Sequence, residues 1–279
     1  MTISNGDLSL TFEPADPYNG AARFVKKRNR NLSHVADPAY MWRWGLMVDG
    51  NELSQTGRQP QGTRYDRPGT AIITDVDVNQ GTDWYETSTT FDHSNITSLT
   101  QRTTLVSPTE IEWRQTVTVG VSLLDPIYAI RAEAAEIFRG TRVPRFAMEA
   151  PCIFVPPWMC DEAYGFDVAS SERLYPETPP ERLYDVTDET RLAIIRTRAR
   201  GDHAVGIFPR SMASSHEFDR FIRWRDGTSA EDGQSWCELT ALWALCDGVL
   251  ATAGTHTAIT TVAVGTTAEV EETLANAIA

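Results

Sequence analysis

The stretch Ser235–Gly265 reads SWCELTALWALCDGVLATAGTHTAITTVAVG. Threonine, valine and isoleucine crowd its second half and alternate there. Thr257, Ile259, Thr261 and Ala263 fall on one face of an extended chain, and Ala258, Thr260, Val262 and Val264 on the other. This period of two in β-branched residues predicts a strand in a pleated, well-covered sheet. The first half predicts a second long strand, with turns around Cys246-Asp247-Gly248 and at Ala253-Gly254. One charge interrupts that strand before Asp247: Glu238, between Cys237 and Leu239. A carboxylate inside an apolar strand is costly unless it is hydrogen-bonded, paired, or turned to a wet cleft. Glu238 is therefore the first candidate functional residue. The competing reading is an ordinary acid on the solvent face of the sheet.

The rest of the chain repeats the strand pattern. Ile3–Phe12 alternates, with Leu8, Leu10 and Phe12 on one face, and Tyr40–Val48 is aromatic-rich and ends at the turn Asp49-Gly50-Asn51. Thr70–Val78, Trp84–Phe91 and the meander Ser98–Val121 follow. In the last arm Ile111, Trp113, Gln115, Val117 and Val119 alternate with polar residues, the pattern of a half-buried antiparallel strand. Ile127–Phe138 has a helical composition in an all-strand context and is read as a strand. Phe146–Val155 predicts another strand, ended by Pro156-Pro157. Trp158–Tyr184, with Pro176, Pro179 and Pro180, reads as a long irregular surface loop. Arg191–Arg198 and Ala204–Phe208 predict a hairpin joined through Arg200-Gly201-Asp202, and Ala268–Ile278 has helical spacing. Roughly 14 to 18 short strands with regular turn signals predict an all-β protein, a large antiparallel β-sandwich with few short helices, formed by residues 1–279 as one domain.

Composition narrows the function. The 279 residues carry 38 acidic and 25 basic side chains, a net charge of −13, which disfavours a nucleic-acid partner. No apolar run approaches the ~20 residues of a membrane span, and Met1–Pro14 has no basic and apolar leader pattern. The expectation is a cytoplasmic protein with no membrane association. Cys152, Cys160, Cys237 and Cys246 match no zinc spacing and read as reduced thiols in or near the core, so no metal and no cofactor are expected. Only Lys26 and Lys27 are lysines, and both sit in the basic run Arg23–Arg30 (RFVKKRNR). That run reads as a solvated strand edge or, alternatively, as a loop over an anionic ligand.

Gly62–Gly69 (GTRYDRPG) resembles a motif of galactose mutarotase-like proteins, the aldose 1-epimerase-like superfamily of β-supersandwiches that bind sugars in an open cleft. WCELTAL with the strand VLATAGTHTAITTVAVG resembles that family's glutamate-bearing strand and its last long strand, and HAVGIFPR from His203 is a weaker third likeness. The resemblance implies that Glu238 stands at the position of the family's catalytic base and Arg64 at that of a sugar-orienting arginine. The family's epimerases also carry a histidine acid in a strand near mid-chain. The corresponding stretch here, Cys152–Trp158 (CIFVPPW), contains no histidine.

Opening and reclosing a sugar hemiacetal needs a base for the anomeric hydroxyl and an acid for the ring oxygen. Glu238 suits the first role. His216 and His203 are the candidates for the second, with Tyr65 as a phenolic alternative and His93 in a turn-like DHSN tetrad. Arg64 offers a forked donor to sugar oxygens. Tyr65 and Asp66 flank it, and Trp84 and Trp158 are candidate stacking platforms for a sugar face, whereas Trp113 and Trp236 read as core. The expected partner is a small molecule, a sugar. Four readings compete: an epimerase or isomerase acting through Glu238; a β-eliminative lyase on the same sandwich, against which the net charge counts mildly for polyuronates; a biosynthetic cyclase or isomerase with a non-sugar ligand; and a sugar-binding module without catalysis, which the missing mid-chain histidine supports.

Overall fold

The computed structural model describes residues 1–12, 22–28, 30–33, 42–48, 51–54, 72–92, 96–120, 146–159, 162–174, 181–186, 191–198, 201–213, 219–228, 235–245 and 253–277. In chain order the strands are β1 (Thr2–Ser4), β2 (Leu8–Phe12), β3 (Ala22–Lys27), β4 (Arg30–Asn31), β5 (Arg43–Val48), β6 (Asn51–Ser54), β7 (Ile72–Gln80), β8 (Trp84–Asp92), β9 (Ile96–Leu105), β10 (Glu110–Val119) and β11 (Phe146–Val155). After a 3-10 turn at Pro157–Met159 come β12 (Glu162–Asp167), β13 (Glu172–Leu174), β14 (Glu181–Val186), β15 (Leu192–Thr197), β16 (Ala204–Ala213), β17 (Asp219–Thr228), β18 (Ser235–Leu245), β19 (Gly254–Gly265) and the helix α1 (Thr267–Asn276).

The strands form three sheets. Nine run in the order β13-β12-β15-β16-β19-β10-β9-β8-β7, six in the order β14-β17-β18-β11-β5-β6, and four, β1 to β4, form a small sheet of their own. Every described pairing is antiparallel. The nine- and six-stranded sheets pack face to face. Ile111 and Trp113 of β10, Val262 and Val264 of β19 and Ile207 of β16 meet Leu239, Ala241 and Trp243 of β18 and Ile153 and Val155 of β11 in one core. The two strands read from Ser235–Gly265 thus fall into different sheets: β18 is central in the six-stranded sheet and β19 in the nine-stranded one. β18 is buried on both faces from Cys237 to Trp243 and β19 from Thr260 to its end, whereas the first half of β19 alternates between buried and half-exposed residues.

The C-terminal helix begins at a capping box. The Thr266 hydroxyl accepts from the Glu269 N–H at 3.2 Å, and Glu269 Oε2 accepts from the Thr266 N–H at 2.8 Å. Its buried Val270 and Leu274 lie on the outer face of the nine-stranded sheet over Gly206, where a Cβ would stand 2.7 Å from Leu274 Cδ1 and 2.8 Å from Val270 Cγ1. Burial of those two side chains contributes about 1.5–3 kcal/mol each. The small N-terminal sheet is fastened to the sandwich by the stacked rings of Phe12 and Tyr85, 4.0 Å apart, and by the Ser4 N–H to Thr82 carbonyl bond of 3.1 Å.

One expectation is corrected. Trp158–Tyr184, read as an irregular loop, carries β12, β13 and the start of β14. The strand signal is weak there for a physical reason. β13 has three exposed residues at the edge of its sheet, and in β12 only Tyr164 and Phe166 carry the apolar alternation, with Gly165 between them. The predicted hairpin at Arg191–Phe208 forms as β15 and β16, with Gly201 at φ 67° in its turn. Ile127–Phe138 and Gln55–Gly69 lie outside the described residues.

Candidate functional site

Glu238 lies in the middle of the six-stranded sheet. Its ladder partners are Phe154 on β11 and Arg225 on β17. The odd-numbered neighbours Cys237, Leu239, Ala241 and Trp243 join the core between the sheets, so Glu238 and Thr240 occupy the opposite face of β18. That face is covered too. Glu238 is 0% exposed, and Thr240, Cys152 and Phe154 beside it are buried. The Thr240 hydroxyl donates to Glu238 Oε1 at 2.7 Å and stands 3.5 Å from Cys152 Sγ. The backbone at Phe154 is fixed from the far side, where the Trp42 indole N–H donates to its carbonyl at 2.9 Å. A carboxylate so placed meets the first condition set by the sequence: it is hydrogen-bonded.

The strand beside Glu238 is the CIFV segment, Cys152–Val155. No histidine stands on it. His203 is not at that face. It lies just before β16 and lines a hollow of about 420 Å³ with Lys27, Arg28, Arg30, Leu32, Asp202 and the start of α1, a lining that does not include Glu238. Arg30 Nη1 is 2.9 Å from His203 Nδ1 and also lies against Nε2, and the edge of Trp158 meets the ring at a centroid distance of 5.0 Å. A ring nitrogen that accepts from a guanidinium carries no proton. Desolvation lowers the His203 pKa from its usual value; Asp202 opposes this, and Arg30 and Arg198 reinforce it. His203 is thus a neutral acceptor near neutral pH rather than a general acid.

The aromatic candidates separate. Trp158, 41% exposed, pairs with His203 at the hollow. Trp84 lies on the outward face of β8, whose odd-numbered residues Tyr85, Thr87, Thr89 and Phe91 point inward. The Arg102 guanidinium covers it, 4.1 Å from the ring centroid, and its indole fills the space over Gly81. The structure brings Trp84 to neither Glu238 nor His203. Trp113 is in the core as read. His216, Arg64, Tyr65 and Asp66 lie outside the described residues, as does His93.

Thr240 is a neighbour of Glu238 that the sequence pattern did not single out. Its signal was present: in a strand, residues two apart share a face, so Glu238-Leu239-Thr240 already sets a hydroxyl beside the carboxylate. Cys152 gave no such signal, because its approach depends on pairing across 88 residues. Among the described residues, no cluster of three His, Cys, Asp or Glu side chains is arranged to hold a metal. No helix among them is long and apolar enough to cross a membrane, which says nothing of a β-barrel. Cys152 and Cys237 are buried.

The sequence matches no protein-family model and no curated protein. Solved structures do resemble the fold. A provisionally assigned aldose 1-epimerase from Escherichia coli K12 superposes over 95% of this chain and 98% of its own, with a TM-score of 0.51 at 9% identity. A heparan sulfate lyase from Pedobacter heparinus matches 93% of this chain, with a TM-score of 0.43 at 11% identity, and this chain spans about a third of that enzyme's length (33%). The chain adopts the galactose mutarotase-like β-supersandwich fold, as the resemblance of its motifs implies.

Proposed function

We propose that the protein acts on a small sugar, or a sugar-like ring, by acid–base catalysis at the Glu238 face of the six-stranded sheet. The observation that carries this reading is the carboxylate itself: a fully buried acid in the centre of an apolar sheet, on the face turned away from the core, accepting the Thr240 hydroxyl. The fold shared with the Escherichia coli protein supports it, since that protein's name assigns an aldose epimerase. In the proposed reaction Glu238 takes the proton of the anomeric hydroxyl while an acid protonates the ring oxygen. The bond between the anomeric carbon and the ring oxygen breaks, leaving an open-chain aldehyde. Rotation about the adjacent carbon–carbon bond and the reverse proton transfers close the ring in either configuration. Arg64 is the proposed sugar-orienting group, flanked by Tyr65 and Asp66. The acid is proposed to be His216 rather than His203, whose ring is a neutral acceptor for Arg30. A cytoplasmic setting goes with this reading.

A second reading keeps the sugar and drops the chemistry. It is favoured by the lack of a histidine on Cys152–Val155 and by the complete cover over Glu238. Anomer interconversion of an aldohexose panel, followed by polarimetry with wild-type protein and Glu238→Gln, separates the two. Catalysis predicts an accelerated approach to equilibrium that the variant loses; a binding module predicts saturable binding with no acceleration from either.

A further inference from the structure

The basic run Arg23–Arg30 is not absorbed by the Glu238 face. β3 and β4 and the turn between them carry it to the hollow of about 420 Å³ beside the start of α1, lined by Lys27, Arg28, Arg30, Asp202, His203 and Glu269 among others. In a chain of net charge −13, this lining has three cations against two carboxylates. The carboxylates are already engaged. Glu269 accepts the Thr266 N–H at 2.8 Å as part of the helix cap, and Asp202 Oδ2 is 3.6 Å from Arg30 Nη1 and 3.4 Å from His203 Nε2.

Lys27 differs from them. It is 7% exposed, yet among the described residues its one hydrogen bond is to a neutral acceptor, the Pro108 carbonyl at 2.8 Å. No carboxylate comes within ion-pair distance of it among the described residues. An ammonium has three N–H donors, and a buried charge without a counter-ion is unfavourable. Burial lowers its pKa, and the fields of Glu269 and Asp7, neither at contact distance, oppose this only in part. Arg28, held at φ 55° by the turn, and Arg30 are exposed at the rim; each lies at long ion-pair distance from one carboxylate, Arg28 Nε 3.5 Å from Asp7 and Arg30 Nη1 3.6 Å from Asp202, and keeps further forked donors for a ligand. The volume lies in the range of small-molecule sites, larger than a bare ion requires.

We propose that this hollow binds the oxyanion head of a small organic molecule, a phosphate monoester or a carboxylate, against Lys27 and the rim guanidinium groups of Arg28 and Arg30. The helix end contributes field but not donors, because Glu269 already caps it. The site stands apart from Glu238, so its test is independent of the reaction.

The experiment is thermal unfolding of the full chain titrated with inorganic phosphate, glycerol 1-phosphate and glycerate, each against sodium chloride at equal ionic strength. A saturable rise in Tm with at least one oxyanion, and none with chloride, is expected. Whichever probe binds tightest identifies the head and whether a body is attached. Lys27→Met should weaken that binding at least tenfold. Since Lys27 also anchors Pro108, Arg30→Gln at the rim serves as the second variant; it leaves the Lys27–Pro108 contact in place, gives up the Arg30–His203 contact, and should weaken binding severalfold. No saturable shift with any oxyanion, or unchanged affinity in both variants, overturns the proposal.

Discussion

The Thr240 hydroxyl points its hydrogen at Glu238 Oε1 across 2.7 Å, and both side chains are completely shut off from solvent. Two residues apart on one strand, they share a face by the geometry of the extended chain. The pair is therefore local in sequence, and its value depends wholly on what the sheet buries around it. Removing the hydroxyl while keeping the shape isolates that value. Thr240→Val should cost about 1–3 kcal/mol, the range for a hydrogen bond to a buried charged acceptor. Urea denaturation followed by tryptophan fluorescence measures it. A loss below a few tenths of a kcal/mol would mean that Glu238 draws its support from other partners.

The seat of α1 makes a second, sharper prediction. A methyl group at Gly206 has nowhere to go, with Leu274 Cδ1 at 2.7 Å, Val270 Cγ1 at 2.8 Å and Ile195 Cγ1 at 3.3 Å from the modest space it would need. Gly206→Ala should destabilise by about 1–3 kcal/mol through overpacking. The double variant Gly206→Ala/Leu274→Ala should be less than additive, because the second change opens the room the first one needs. Chemical denaturation of the four members of the cycle tests this.

Much of this architecture was legible in the chain. Alternation in β19 and β10, the turn chemistry at Gly201 and the helical spacing after Thr266 each report a local backbone preference, and tertiary structure agreed with them. β12 and β13 were hidden because an edge strand needs little apolar alternation when only one neighbour holds it. The candidate site was legible in part. Glu238 stood out as a charge in an oily strand, but its burial, its Cys152 neighbour and the parting of His203 and Trp84 from it all depend on pairings between distant segments. The basic run could not be assigned from sequence, since a solvated edge and a ligand-lining turn have the same composition. Burial of Lys27 is what distinguishes them.

His203 gives a pH signature. Its folded pKa is depressed below the ordinary value, by desolvation first and by Arg30 and Arg198 with it. Below about pH 6.5 the unfolded chain therefore binds a proton more readily than the folded one. Stability should fall as pH drops through that point, and His203→Gln should flatten this limb of the curve. Tm measured from pH 8 to pH 5.5 in both proteins is the check. Identical slopes would contradict a neutral, desolvated ring.

The cap of α1 titrates in the same direction at lower pH. The Thr266 N–H, as the largest cause, holds Glu269 below the usual glutamate value against the opposing effect of burial, with Lys27 and Arg28 assisting. The stability this contributes is present above about pH 4.3 and is lost as the carboxylate protonates below it. Thr266→Ala should cost about 1 kcal/mol at neutral pH and weaken the acid dependence. Amide exchange in the first turn of α1, compared at pH 6 and pH 4, would localise the effect.

The account rests above all on Glu238 as a base rather than a structural acid. Glu238→Gln keeps the shape and an oxygen to accept the Thr240 hydroxyl, so the fold should survive with Tm nearly unchanged. Polarimetry of an aldohexose panel is the direct measurement. The account predicts that wild-type protein speeds anomer interconversion of at least one sugar and that Glu238→Gln slows it by about 10²-fold or more. An equal rate from a well-folded Glu238→Gln, or no acceleration by the wild type of any sugar in the panel, would contradict it.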